Sequence, residues 1–196
     1  MSEKRLAQLE QFLRALAVQW KRPLKIILTG AWAVAIWGHV RATQDVDFEV
    51  NGLKAIDGEA FDAAARAAGE AAGLAVQYST NIDRWSSIVL LDYRRHTKRW
   101  KRVGALDVHV LDVRHWSIGK INRYIDRDIQ DLIEAFRRLK PHPVKLAQFW
   151  RKAIAQSPAS TQQWQTKQQA LSFFRQHGRT IWGDRLPLQQ IEQVFQ

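Results

Sequence analysis

The 196-residue chain contains no cysteine, which excludes disulfides and thiolate metal sites and leaves the compartment open. It has no apolar run of about 18 residues, so no transmembrane helix is expected. The opening Met1-Ser2-Glu3-Lys4-Arg5 leads straight into an amphipathic pattern without the apolar core of a signal peptide, which makes the cytoplasm the expected location and a membrane partner unexpected. The six histidines show no ligand spacing such as His-x3-His, and no Ser-His-Asp or Cys-His arrangement can be argued. Internal repeats and low-complexity tracts are also missing. Acidic residues are the scarce charge: 19 Asp and Glu face 30 Lys and Arg, a net charge of +11. Such a balance favours anionic partners, nucleic acid or nucleoside triphosphates among them, and disfavours a polycationic substrate.

What is present reads as an α/β chain followed by an all-helical one. Leu6, Leu9, Phe12, Leu13, Leu16 and Ala17 recur at helical spacing over 2–20, and Pro23 stops that helix. Leu24–Thr29 is a short, mostly apolar run suited to a buried strand. Gly30 follows, then a helix-length segment 31–37 that ends at Gly38. Asp45-Val46-Asp47-Phe48-Glu49-Val50 alternates acid and apolar residues, a strand with one wet face. An Ala-rich helix is expected over 59–72, closing near Gly73, then strands over 74–79, 86–93 and 104–111, the last two pairing as a hairpin around a basic loop. Helices are expected over 114–139, 144–155, 160–177 and 187–195. The expected fold class is therefore α/β (α+β): a small mixed-sheet core with its N-terminal helix over 1–112, and a helical C-terminal subdomain over 113–196.

Residues i and i+2 of a strand project from the same face, so Asp45 and Asp47 point together. Two neighbouring carboxylates repel unless a cation sits between them, and oxygen ligands suit a hard divalent ion such as magnesium. Asp107, in Ala105-Leu106-Asp107-Val108-His109-Val110, is another acid in an apolar strand, and three converging carboxylates could hold two metals for phosphoryl chemistry. Gly30 lies where a strand meets a helix, a place where backbone N–H groups face an anion and a phosphate can approach closely.

Leu28-Thr29-Gly30-Ala31, followed by Gly38-His39-Val40-Arg41-Ala42-Thr43-Gln44-Asp45-Val46-Asp47, resembles the signature of the nucleotidyltransferase (polymerase-beta-like) superfamily, and the second run is similar to that of the small bacterial abortive-infection and MenT-type toxins. The resemblance covers roughly residues 24–140. It implies a mixed-sheet nucleotidyltransferase core in which Asp45, Asp47 and Asp107 bind Mg2+ or Mn2+. Thr29, Gly30, Ala31, Arg41 and Thr43 would line the nucleotide pocket. Ala31 stands where Gly or Ser is usual, which removes a hydroxyl able to bond a phosphate.

Farther on, Lys120, Arg127 and Asp131 lie seven and eleven residues apart, close to two and three turns, and would share a stripe with Tyr124. Within the resemblance, Lys120 contacts the triphosphate and Asp131 fixes the helix or the nucleotide site; a surface helix with an Arg127–Asp131 ion pair is the alternative. Six of the nine residues from Arg94 to Arg102 are Lys or Arg. Arg94, Arg95, Lys98, Arg99, Lys101 and Arg102 could grip a phosphate backbone while Trp100 stacks on a base, or the loop could simply be solvated. From Val144 onward seven Lys or Arg face two acids, with Trp150 and Trp164 expected in the core.

These features together imply transfer of a nucleoside monophosphate from an NTP to an acceptor hydroxyl, with Asp107 also helping to deprotonate the acceptor. The net charge and the basic run favour RNA as the acceptor, and the resemblance to the toxins points to the tRNA 3′ end. The alternatives are a protein hydroxyl, as in antitoxins that modify a partner toxin, and a non-catalytic nucleic-acid-binding module that kept the fold. The resemblance leaves room for an antitoxin or toxin partner.

Overall fold

The computed structural model describes residues 2–38 and 43–196. The chain divides into two compact units, one made of Met1–Ile82 with Arg94–Leu111, the other of Asp83–Tyr93 with Asp112–Gln196. The segment 83–93 thus belongs with the helical unit rather than with the expected 1–112 core.

The first unit is a five-stranded mixed sheet, as the α/β (α+β) expectation requires. Its strands are β1 (Leu24–Leu28), β2 (Asp45–Asn51), β3 (Ala75–Ser79), β4 (Thr97–Val103) and β5 (Leu106–Leu111), in the order β3-β2-β1-β5-β4. Strand β1 runs antiparallel to β2 and parallel to β5. One face carries Ile26, Leu28, Val46, Phe48, Val50, Leu106 and Val108, all buried. The helices α1 (Ser2–Trp20) and α3 (Gly58–Ala72) cover it with Leu9, Phe12, Leu13, Leu16, Phe61 and Ala65. Burying one such Leu or Phe contributes about 1.5–3 kcal/mol, so this single interface dominates the unit's stability. The period of 3.6 in α1 and of 2 in β2 are both explained by this shared core. Gly73 closes α3 in the left-handed region (φ 63°), where its N–H reaches Glu70 O (3.2 Å) and Leu74 N–H reaches Gly69 O (2.9 Å).

Two expected elements differ. Residues 86–93 form no strand; 3-10 turns occupy Ile82–Trp85 and Tyr93–Arg95 instead. From Thr97 onward, the basic run expected as a loop is itself the edge strand β4, antiparallel to β5. Cations on an edge strand discourage edge-to-edge pairing with other chains, so the charge run and the strand are compatible.

The second unit is helical: α4 (Val113–Arg123), α5 (Asp126–Leu139), α6 (Pro143–Gln156), α7 (Thr161–Trp182) and α8 (Leu188–Val194). The expected 114–139 helix is broken, because Tyr124 turns left-handed (φ 51°) and Ile125 restarts the chain as the N-cap of α5. Phe136, Trp150, Phe173 and Phe174 are fully buried and pack ring to ring at centroid distances of 5.3–6.2 Å. Trp150 meets the core expectation, whereas Trp164 is 62% exposed and does not. Segment 83–93 is fastened here by Val89 N–H donating to Ser157 Oγ (2.9 Å) and Ser87 Oγ donating to Asn122 Oδ1 (3.1 Å). No helix among the described residues is long and apolar enough to cross a membrane.

Helix α4 begins on a charged cap. Asp112 accepts the backbone N–H of Arg114 (2.7 Å) and of His115 (3.3 Å), and its other oxygen lies 3.1 Å from His115 Nδ1. Burial pushes the Asp112 carboxyl up, but the His115 contact, the backbone N–H and Arg114 outweigh it and hold the group at about 2, below its ordinary 3.8. A pKa lower in the folded state than in the unfolded one stabilises the fold above the unfolded value and loses that contribution as pH falls through the folded one. Asp112→Ala is expected to cost about 1 kcal/mol at neutral pH, the usual worth of a helix cap. Denaturant unfolding should show parent and variant converging between pH 4 and pH 2; a constant difference across that range would contradict the assignment.

Candidate nucleotide site

The first unit brings the glycine turn and the first acid pair together. Strand β1 delivers the chain to Thr29, whose N–H donates to Asp47 O (3.0 Å), continuing the β1–β2 ladder by one rung. Gly30 then opens α2 (Gly30–Ile36) in the left-handed region, at φ 59°. A Cβ built at Gly30 would lie 2.1 Å from Asp47 Oδ2. The Asp47 carboxylate therefore occupies the space a side chain would take, and only glycine fits on both counts.

Asp45 stands two residues earlier on the same face of β2. Its backbone oxygen accepts from Trp32 Nε1 (2.8 Å), and its Oδ1 accepts a hydrogen bond from the Thr43 hydroxyl. Thr43 is itself held by Arg5, whose Nη1 donates to Thr43 O (3.1 Å). Trp32 is fully buried in α2, so the helix after Gly30 fixes the start of the acid strand. Both carboxylates are only partly buried. Ala31 points into the packed side of α2 and is 4% exposed. Arg41 lies outside the described residues.

Asp107 does not join this pair. In the β1–β5 register it is level with Lys25, whereas Asp47 is level with Thr29, four residues farther along β1. At about 3.3 Å per residue that is about 13 Å along the strand direction, with β1 lying between β5 and β2 as well. Alternation in an apolar strand identified a wet acid, but only register decides which end of the sheet it occupies. Asp107 instead forms a hydrogen bond with His109 Nε2 (3.0 Å) and an ion pair with Arg99 Nε (2.7 Å), and the His109 hydrogen bond above all holds its carboxyl below the usual range.

Lys120 and Asp131 also have a different place. Their stripe cannot run along one helix, because α4 ends at Arg123. The break folds α5 back so that Lys120 Nζ reaches Asp128 Oδ1 and Asp131 Oδ2, both at 2.7 Å. All three are buried, and Arg123 adds a second cation on Asp128 (2.7 Å). The four residues form a charge-balanced brace between α4 and α5 in the second unit. A buried ammonium shared by two carboxylates is not presented to a ligand in this arrangement.

The basic run is divided in its uses. Arg94 pairs with Glu49 (2.7 Å) and donates to Thr80 O (2.8 Å), Arg99 pairs with Asp107, and Lys101 pairs with Glu10. A β-bulge sits between Arg99 and Lys101, and Trp100 packs against the core instead of standing free to stack on a base. Arg95, Lys98 and Arg102 are exposed. Glu49, fully buried on the same face as Asp45 and Asp47 and capped by Ile82 N–H (3.0 Å), continues the acid alternation. That alternation is the sequence signal that could have singled it out.

A hard divalent ion fits the oxygen donors of Asp45 and Asp47, and the space against Gly30 is filled by the Asp47 carboxylate rather than by an apolar group. Among the described residues no group of three or more His, Asp or Glu side chains is arranged to hold a metal ion, so the fit rests on this pair. Compared with protein-family models, with curated proteins and with solved structures, the chain finds a significant match in none of the three.

Proposed function

We propose that the chain is a metal-dependent nucleotidyltransferase that moves a nucleoside monophosphate from an NTP to an acceptor hydroxyl, with RNA as the acceptor. The observation that carries this reading is the seating of the Asp47 carboxylate on the Gly30 backbone, with Asp45 beside it on the same strand face. The pair joins a close-approach backbone turn to two partly exposed carboxylates, the combination that the resemblance to the nucleotidyltransferase superfamily rests on. Asp45 and Asp47 would hold magnesium or manganese, which when bound supplies charge neutralisation for the triphosphate.

The residues of the chain do the positioning. Thr43 orients the Asp45 carboxylate by hydrogen bond, Trp32 anchors its backbone, and Gly30 leaves room for Asp47. In the transfer, a bond forms between the acceptor oxygen and the α-phosphorus, the bond to pyrophosphate breaks, and the hydroxyl proton leaves to solvent. The net charge of +11 supports RNA over a cationic small molecule as acceptor. Asp107, Lys120 and Asp131 play no direct part in the transfer.

Incubation with each labelled triphosphate, magnesium and total RNA is expected to label RNA. Asp45→Asn should lower the rate by at least about a hundredfold, the scale on which metal-site groups act, with the circular dichroism spectrum unchanged. Undiminished transfer by this variant would sink the assignment. Labelling of a protein band instead of RNA would move the acceptor to a protein hydroxyl, and no labelling with any triphosphate would favour a non-catalytic nucleic-acid binder.

A further inference from the structure

At the opposite end of the sheet from Asp45 and Asp47, the register lines up Asn51, Lys25, Asp107 and Arg102 across β2, β1, β5 and β4 at one level. These four residues and Arg99 line an open pocket of about 410 Å³. Its charge is uneven: three cations and one carboxylate, and that carboxylate is already engaged by Arg99 and His109.

The tethering of the two arginines gives the pocket its chemistry. Arg99 is held through Nε by Asp107 (2.7 Å), and Arg102 through Nε by Gly104 O (3.3 Å). In both, the close contact is made by Nε, an ion pair for Arg99 and a hydrogen bond for Arg102, so the terminal nitrogens that form the bidentate fork are left to face another acceptor. Lys25 is steadied by donating to the Thr97 hydroxyl (3.2 Å), which also meets His109 Nδ1 (3.1 Å). Neither Lys25 nor Arg102 has a carboxylate within ion-pair distance among the described residues. Two guanidinium forks fixed by their stems, a lysine and an amide side chain form a set of donors matched to a phosphate group.

We propose that this pocket is a phosphate-binding site for a nucleic-acid strand, distinct from the Asp45–Asp47 pair. Lys25, Arg99 and Arg102 hold one phosphodiester, and Asn51 donates to it or to the adjoining sugar. The net charge of +11 favours a polyanionic strand over a free phosphate as the occupant. The site does not rest on the transfer chemistry, because binding is read without triphosphate or metal.

The test uses the full chain and fluorescence anisotropy with a labelled single-stranded oligoribonucleotide. The double variant Lys25→Ala/Arg102→Ala is expected to weaken binding about tenfold or more, the worth of one strong charge-assisted contact. It should also flatten the dependence of log K on log salt by about 1.4, the slope change for losing two phosphate contacts on a single strand. Arg14→Ala/Arg66→Ala removes the same charge from α1 and α3, and circular dichroism shows whether each variant is folded. Equal weakening by the two double variants would overturn the proposal, because only net charge would then be at work. Thermal stabilisation by inorganic phosphate or a mononucleotide that Lys25→Ala/Arg102→Ala removes, with no binding of the oligonucleotide, would overturn the strand assignment. A result in which Asp45→Asn abolishes transfer but leaves this binding intact supports two separate sites, whereas loss of both in Asp45→Asn would overturn their separation.

Discussion

Gly30→Ala is expected to lower the stability of the first unit by about 3 kcal/mol and to remove nucleotidyl transfer. Two costs add. A non-glycine residue held in the left-handed region costs about 1–2 kcal/mol, and Gly30 sits there at φ 59°. Forcing atoms into filled space costs about 1–3 kcal/mol more, and the new Cβ would lie 2.1 Å from Asp47 Oδ2. The obstacle is a short carboxylate on a central strand, which can relieve the clash only by turning away from Gly30. Stability and function are coupled at this position for that reason. Denaturant unfolding followed by tryptophan fluorescence, with transfer of label to RNA measured in parallel, checks both. An alanine variant as stable as the parent would show that the carboxylate does not occupy the space against the turn.

Lys120→Met is expected to destabilise the second unit by about 3–5 kcal/mol, the cost of leaving a buried charge without its partner. Asp128 keeps Arg123, whereas Asp131 loses its ion pair with Lys120. Adding Asp131→Asn to Lys120→Met should restore part of the loss, since an amide is cheaper to bury than a carboxylate that has lost its ammonium. A catalytic lysine would behave differently: its removal would abolish transfer and leave the unfolding midpoint where it was. The denaturant midpoints of the parent, both single variants and the double variant decide between the two, and an unchanged midpoint in Lys120→Met would refute the brace.

The glycine turn and the acid strand were legible because each depends on local rules. Alternation over 45–50 sets which side chains share a face, and a glycine between a buried strand and a helix indicates a backbone that no other residue adopts cheaply. The placement of Asp107 was not legible, because register is a relation between strands and a sequence shows only each strand's own faces. The break at Tyr124 was missed for a related reason. No glycine or proline falls between 120 and 130, and the left-handed residue there is a tyrosine. Lys120 and Asp131 meet, which a shared stripe on one helix would not allow, because the helix break folds them together and buries them. Charge alone makes the basic run read as a loop, although Thr97, Trp100 and Val103 give it enough strand character to be the sheet's edge.

The Asp83–Tyr93 segment has a consequence for dissecting the protein. Its chain neighbours on both sides belong to the sheet unit, yet Ile88, Leu90 and Tyr93 are buried and the segment is counted with the helices. A fragment cut after residue 112 would carry this segment without Asn122 and Ser157, the residues that fasten it. It would expose three apolar side chains in the middle of an otherwise complete sheet domain. A fragment starting at residue 112 would lack the same piece. No single cut separates the two units cleanly, so an isolated sheet unit calls for an internal replacement of 83–93 by a short polar linker.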